Sequence, residues 1–136
     1  MKDIFIDATN AVAGRLASFA AKKALEGNKI FIINSEKAII LGSPERTLEK
    51  YLKRLRLGHG VQKGPKFPRR PEMLLRRIVR GMLPWKRTGG REAYKRIKCF
   101  LGVPEQYKSQ ETIRFDKKIK TKFITLERLS SLIRQK

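Results

Sequence analysis

The stretch IFIDATNAVAGRLASFAAKKALEGNKIFII, residues 4–33, decides the fold of this chain. It begins and ends with apolar runs of strand length, and the second run, at residues 30–33, is continuous, as is typical of a strand buried on both faces of a parallel sheet. Between the runs, apolar residues recur at near-helical spacing: Leu16, Phe19, Ala20 and Leu25. The stretch therefore predicts a strand–helix–strand unit and an α/β fold.

The next apolar run, EKAIIL at residues 36–41, follows the second strand almost at once. Such a short connection cannot cross over to a parallel neighbour. We expect either a hairpin partner or a bent continuation of the same strand. Ser43 and Pro44 then predict the N-cap and first turn of a helix that ends near Gly58.

The middle of the chain combines a loop and a helix that are both basic. GHGVQKGPKFPRRP, residues 58–71, is rich in Gly, Pro and cations and has no acid, so it predicts an extended basic loop. Pro71 can begin a helix that Pro84 ends. Apolar residues of that segment are expected to pack on the body while arginines between them project outward: Leu74, Leu75, Ile78, Val79, Met82 and Leu83.

Three further elements are predicted after Pro84. A Thr-Gly-Gly turn leads into a short helix, and IKCFLG at residues 97–102 is a second strand candidate. After a polar stretch, an amphipathic helix is predicted from its apolar spacing: Leu126, Leu129, Leu132 and Ile133.

The charge of the chain is strongly unbalanced. It has 33 Lys and Arg against 12 Asp and Glu, a net charge of +21. Residues 53–98 hold 16 of those cations and two of the acids. A compact state with this charge repels itself unless a polyanion neutralises it, so a nucleic acid is the predicted partner.

Few residues could support catalysis or metal binding. His59 is the one histidine and has no Cys, Asp or Glu at ligand spacing, and no nucleophile or P-loop motif occurs. Asp3 and Asp7 are interpreted as solvated strand ends or a helix-proximal cap, and Cys99 as a buried structural thiol. We therefore expect no enzymatic activity, no metal, no cofactor and no small-molecule substrate. No signal or membrane-spanning pattern is apparent, which predicts a cytoplasmic protein.

The basic segment suits contacts with RNA. Arginine outnumbers lysine by seven to one over residues 69–91, and its planar fork can bind phosphate through two donors. Phe67 and Trp85 lie in the same segment and either stack on unpaired bases or pack in the core. His59 is expected to donate a hydrogen bond to backbone or phosphate.

Several blocks of the sequence resemble the universal large-subunit ribosomal protein family L-thirteen, in its archaeal and eukaryotic branch. They lie between about residues 4 and 107: DATNAVAGRLAS (7–18), INSEKAIILG (33–42), KGPKFPRRP (63–71), RGMLPWK (80–86) and GREAYKRIKCFLGVPE (90–105). The resemblance implies a three-layer α/β/α fold with a small, mainly parallel sheet. The basic loop and a C-terminal helical extension at about 108–136, which lies beyond the resemblance, are predicted from the residue pattern alone. It also implies a structural protein of the large ribosomal subunit that binds large-subunit rRNA and supports assembly, with neighbouring ribosomal proteins as partners.

The resemblance and the charge pattern together define the predicted RNA-binding residues. Eight lie in family motifs: Arg15, Lys63, Lys66, Arg69, Arg70, Arg80, Lys86 and Arg87. Eight more come from the basic pattern: Arg54, Arg56, His59, Phe67, Arg76, Arg77, Trp85 and Arg91. We expect residues 1–136 to form one rRNA-binding domain and no homo-oligomer. Two other classes stay open, a chromosomal DNA-binding protein and a nuclease that uses Asp3, Asp7 or His59.

Overall fold

The structure is a computed structural model that describes residues 2–57, 67–115 and 119–134. Six strands are present in the described residues: β1 (Asp3–Asp7), β2 (Lys29–Ile33), β3 (Ile39–Leu41), β4 (Ile97–Cys99), β5 (Ile113–Arg114) and β6 (Phe123–Thr125). Five helices accompany them: α1 (Ala13–Leu25), α2 (Pro44–Arg56), α3 (Pro71–Arg80), α4 (Thr88–Lys95) and α5 (Leu126–Arg134).

The main sheet is parallel throughout and has the strand order β4-β2-β1-β5. Ile6 pairs with Ile32 in the β1–β2 register, and both side chains are fully buried. This is the β1-α1-β2 unit that the apolar runs predict. The α/β class and the mainly parallel sheet are confirmed.

One face of the sheet contributes to the principal hydrophobic core together with the helices. Helix α1 packs on α3 and α4, and α3 also contacts β4. The buried face of α1 is mostly alanine, which lets neighbouring elements approach closely: Ala13, Leu16, Ala17, Ala20, Ala21 and Ala24. From α3, Leu74, Leu75 and Val79 are fully buried in the same core, so the packing predicted for these three residues is confirmed.

The other face of the sheet is covered by aromatic side chains. The rings of Phe5 and Phe31 stack with centroids 5.0 Å apart, and the Tyr107 ring lies 5.1 and 5.2 Å from them. Phe100 stacks on Phe31 at 6.4 Å. Residues 100–107, which include a 3₁₀ turn at Glu105–Tyr107, therefore form the layer over this face.

The run at residues 36–41 forms neither a hairpin with β2 nor a continuation of it. A 3₁₀ turn at Ser35–Lys37 separates it from β2, and β3 then pairs with β6 in a separate antiparallel sheet. The pairing joins Ile39 to Thr125 and Leu41 to Phe123. Both expectations for this run were wrong because its partner comes from a distant part of the chain.

Asp7 is buried, so its interpretation as a solvated strand end was wrong. The alternative of a helix cap was also wrong, because α1 has no side-chain cap hydrogen bond. The Thr9 amide and hydroxyl donate to its Oδ1 at 3.0 and 2.7 Å, and the Asn34 side-chain amide donates at 3.1 Å. Arg114 on β5 lies 3.3 Å from Oδ2. Burial raises the pKa of Asp7, but these hydrogen bonds and the Arg114 charge together hold it below its usual value. Asp3, in contrast, is exposed.

The C-terminal helix predicted from Leu126, Leu129 and Ile133 is confirmed, and these three residues are buried. The Ser130 hydroxyl on α5 donates to the Arg69 carbonyl at 2.5 Å, which ties α5 to the residues just before α3. No helix in the described ranges is both long and apolar enough to cross a membrane.

Candidate nucleic-acid interface

A groove of about 990 Å³ opens between the first turn of α1, strand β3, helix α2 and the C-terminal end of α3. Four cations line it: Lys50, Arg54, Arg77 and Arg80. None of the described residues that line the groove is acidic. The folding of α2 and α3 against the α1 side of the body thus brings together cations that are up to 30 positions apart in sequence.

Phe67 lies between two arginines of the groove. The Arg54 and Arg77 guanidinium carbons are 5.6 and 5.7 Å from its ring centroid. The ring meets Tyr51 edge to face at 5.7 Å, and Arg54 also lies 5.2 Å from the Tyr51 centroid. Burial raises the pKa of the Tyr51 phenol, although Arg54 opposes the shift, so Tyr51 stays neutral. Cation–π contacts hold both guanidiniums beside the ring.

Arg80 connects the groove to the region between α3 and α4. Its guanidinium lies over Trp85, 4.1 Å from the ring centroid, and Trp85 meets Tyr94 edge to face at 5.1 Å. Arg76 covers Tyr94 at 4.2 Å. We call this region, with Pro84 and Gly90, the α3–α4 junction.

Arg76 points into the junction and not toward an external partner. Its Nε donates to the Ile97 carbonyl at 3.1 Å, and its Nη2 donates to the Tyr94 carbonyl at 3.3 Å. Burial raises the pKa of the nearby Cys99 thiol to about 12, although the Arg76 charge opposes this. Cys99 is partly buried and packs against the core, so its interpretation as a buried structural thiol is supported only in part.

The first turn of α1 also faces the groove, through Val12, Ala13 and Gly14. This helix has no side-chain N-cap hydrogen bond and no acid in its first turn. Its N-terminal amides carry partial positive charge, which adds to the field of the four cations.

Glycines on the groove wall have free space where a side chain would begin. A Cβ at Gly14 meets no atom within 4 Å, and one at Gly81 meets only the Ile78 carbonyl, at 3.5 Å. In the junction, a Cβ at Gly90 would lie 2.1 Å from the Pro84 carbonyl oxygen. Gly90 therefore permits its backbone to pack closely against Pro84, whereas Gly14 and Gly81 leave open space in the groove.

The structure distributes the predicted RNA-binding residues over four settings. The groove contains Arg54, Phe67, Arg77 and Arg80. Exposed positions beyond the groove lining are taken by Arg15, Arg56, Arg69, Arg70, Lys86, Arg87 and Arg91. The junction contains Arg76 and Trp85. His59, Lys63 and Lys66, and with them most of the predicted basic loop, lie outside the described residues.

Two of the exposed arginines have contacts within the chain. Arg70 forms an ion pair with Glu72 at 2.8 Å, and Arg91 donates to the Lys86 carbonyl at 3.3 Å. Both side chains remain at the surface, so they can still exchange these contacts for a phosphate.

Sequence reasoning missed part of the groove. Met82 was expected to pack in the core, but its side chain lines the groove and the residue is 44% exposed; Leu83 is buried as expected. Lys50 was not among the predicted RNA-binding residues, although it lines the groove together with Arg54. Lys50 precedes Arg54 by one helical turn, which is a signal that could have placed the two together.

The described residues contain no group of three or more His, Cys, Asp or Glu that could hold a metal ion. The chemistry that the groove offers is instead positive charge beside aromatic and aliphatic surface. That combination can hold an anion with a flat or apolar group attached.

Comparison with known proteins identifies the family. Residues 1–106 match the family described as Ribosomal protein L13. The large ribosomal subunit protein uL13 of Methanopyrus kandleri is 52% identical over 99 residues, 73% of this chain but only 62% of that protein. The protein of the same name from Archaeoglobus fulgidus is 43% identical over 131 residues, 92% of this chain and 83% of the relative. That from Methanocaldococcus jannaschii is 43% identical over 128 residues, 92% of this chain and 93% of the relative. The chain therefore belongs to the Ribosomal protein L13 family.

Proposed function

We propose that this protein is a structural component of the large ribosomal subunit that binds large-subunit rRNA and supports subunit assembly. Its place of action is then the cytoplasmic ribosome, where neighbouring ribosomal proteins are further partners. Membership of the family and the names of its archaeal relatives support this role. The chain would act as one rRNA-binding domain.

The observation that carries the RNA contact is the charge around α3. The groove lining has four cations without a described carboxylate, and further exposed cations flank the helix in sequence, before Pro71 and after Arg80. Among the described residues, the flanking set is Arg69, Arg70, Lys86, Arg87 and Arg91. Phosphate groups supply the negative charge that this surface lacks.

The basic loop before α3 belongs to the same proposal. Lys63 and Lys66 lie in a family motif and close to Phe67 in sequence. Because Phe67 lies on the groove, we propose that these two lysines contact the same RNA.

The test is incorporation into large subunits. A tagged chain with Arg69→Glu, Arg70→Glu and Arg80→Glu is expressed in cells and sedimented through a gradient at moderate and high salt. We expect the wild-type chain to travel with large subunits at both salt concentrations and the variant to stay in the light fractions.

A matched control carries Lys22→Glu, Lys29→Glu and Lys108→Glu, three exposed lysines that do not line the groove. It changes the net charge equally and should still incorporate. Normal incorporation of the arginine variant would refute the proposed contact surface. Release of the wild-type chain at high salt, with equal binding to duplex DNA, would favour a chromosomal DNA-binding protein.

A further inference from the structure

The groove beside α3 has an exposed apolar wall as well as a cationic rim. Leu41, Leu57 and Met82 all line it and are 41%, 57% and 44% exposed. Large apolar side chains clustered in one concave surface mark a site that a partner covers. The partner of this groove must therefore bring an apolar surface together with negative charge.

We propose that the groove binds an unpaired nucleotide of the RNA, with the base against the apolar wall and the phosphate on the arginine rim. This inference rests on the proposed function, because it specifies which part of an RNA the groove takes. A nucleotide combines a flat, weakly polar base with a phosphate, and the two parts match the two kinds of lining.

The apolar wall of the groove favours an unpaired base. In a duplex the bases are stacked inside, and only the backbone and the groove edges of the helix face a protein. Proteins that bind unpaired bases stack them on aromatic rings or on arginine planes. Phe67 supplies such a ring, and the guanidiniums of Arg54 and Arg77 flank it.

The rim is arranged for a phosphate before any RNA arrives. Arg54 and Arg77 approach the same ring, so their charges repel each other, and the described lining has no carboxylate to offset the repulsion. A phosphate bound beside these two arginines offsets the repulsion. Because the rings already hold the guanidiniums, little side-chain freedom is lost on binding.

An acidic protein segment can satisfy the charge of the rim, but it matches both kinds of lining only if it also places an aromatic side chain against the surface around Phe67, whereas every nucleotide carries a phosphate and a base together. The observations therefore favour RNA. The protein alternative is tested as one of the outcomes below.

The wall glycines make the proposal testable without disturbing the fold. Because a Cβ at Gly14 meets nothing within 4 Å and one at Gly81 makes only an ordinary contact, larger side chains there enter the groove and not the core. Gly89 on α4 provides the control, since a Cβ there also meets nothing within 4 Å and the residue does not line the groove.

The experiment measures the binding of two fluorescein-labelled RNAs to the full chain by anisotropy at one salt concentration. One RNA is a short single-stranded oligoadenylate, and the other is a duplex of the same length. We expect the double variant Gly14→Leu, Gly81→Leu to bind the single strand about tenfold more weakly and the duplex within about twofold of wild type. Gly89→Leu should bind both RNAs as wild type does.

Three results would overturn the inference. An equal loss for both RNAs means that the groove holds backbone only. Unchanged binding of the single strand means that RNA does not enter it. If the double variant no longer binds a labelled glutamate-rich peptide that the wild-type chain binds, and its RNA binding is intact, the groove is assigned to a protein segment.

A crosslinking measurement on the wild-type chain tests the inference without any substitution, so its result does not depend on whether the double variant folds. Single-stranded RNA that carries 4-thiouridine is irradiated with the protein, and the attached residues are identified by mass spectrometry. Crosslinks at Tyr51, Phe67 or Met82 are expected, and crosslinks confined to residues 86–91 would overturn the inference. None of these results touches the proposed function, which is tested separately by the incorporation of the wild-type chain and of the arginine variant into large subunits.

Discussion

The α3–α4 junction and the groove use the same residue types for different purposes, although α3 contributes to both. In the junction, Arg76 donates to two backbone carbonyls, and Gly90 lies against the Pro84 carbonyl. In the groove, Arg77 lies beside a ring, and the space around Gly81 is open. Carbonyl groups within the chain accept the hydrogen bonds of the junction arginine, Arg76. The described lining of the groove instead has cations without carboxylates and exposed apolar side chains. A cation in this chain must therefore be interpreted by its neighbours and not by its type.

The largest expected effect concerns the charge of the groove. The triple variant Arg54→Gln, Arg77→Gln, Arg80→Gln should lower the affinity for single-stranded RNA by about 100-fold. It should also make the salt dependence shallower by about two, because each phosphate contact to a single strand contributes about 0.7 to the slope. The measurement is fluorescence anisotropy over a series of KCl concentrations.

The control for charge is the variant Lys22→Gln, Lys29→Gln, Lys108→Gln, which removes the same net charge from exposed positions outside the groove lining. It should change the slope much less. Equal slopes for the two variants would mean that the groove has no privileged role and that the protein binds RNA through its overall charge.

Neighbouring arginines on α3 should respond in opposite ways to the same substitution. Arg76→Met leaves the Tyr94 and Ile97 carbonyls without their donor and should lower the free energy of unfolding by roughly 2–3 kcal/mol. Arg77→Met should change it by only about 0.5 kcal/mol but weaken RNA binding. Urea denaturation and RNA anisotropy give the two quantities. Similar stability losses for both would show that the groove arginines are also structural.

Two adjacent glycines of α4 test how tightly the junction is packed. Gly90→Ala forces a shift of the Pro84 backbone and should destabilise the protein by about 1–3 kcal/mol. Gly89→Ala meets no atom within 4 Å and should stabilise it by up to about 1 kcal/mol, because alanine favours the helix. Thermal unfolding distinguishes these effects. If Gly90→Ala left the melting temperature unchanged, the junction would be able to relax around the added methyl group.

The smallest effect concerns Asp7, the buried carboxylate that pairs with Arg114. The pKa of Asp7 is held below its usual value, so its contribution to stability is complete above its unfolded-state pKa of about 3.9 and is lost as the pH falls through the lower folded value. Asp7→Asn should therefore be less stable than wild type near neutral pH, and the difference should shrink in acid. Urea midpoints of both proteins between neutral pH and strong acid check this. A constant difference would contradict it.

Local patterns predicted the β1-α1-β2 unit, helices α2, α3 and α5 and strand β4, because each has a clear apolar period or a proline start. Helix α4 was also predicted, but the Thr-Gly-Gly turn expected before it was wrong, because Thr88, Gly89 and Gly90 form its first turn. The family match confirms the resemblance seen in the motifs and the expectation of a ribosomal protein and not an enzyme. Strand β5 was missed because two residues in a polar stretch carry no periodic signal. The pairing of β3 was missed because its partner, β6, begins 82 residues after β3 ends.

The site was harder to predict than the fold. Arg76 and Arg77 are adjacent in sequence and equally basic, but one faces the junction and the other the groove. Periodicity gives the face of a helix and not what lies opposite that face. Phe67 and Trp85 could be placed only by knowing that Tyr51 and Tyr94 meet them.

The pairing of β3 with β6 has a consequence for the order of events during synthesis. Leu41 belongs to one wall of the groove and is paired with Phe123, so that wall is complete only when residues 123–125 have been made. Chains are synthesised from the N-terminus, and pairings between distant residues close late because long loops must be ordered first. The β1-α1-β2 unit can therefore form while the groove is still incomplete. A nascent chain shorter than about 125 residues would therefore have an incomplete groove, and a partner of this groove could bind fully only to a longer chain.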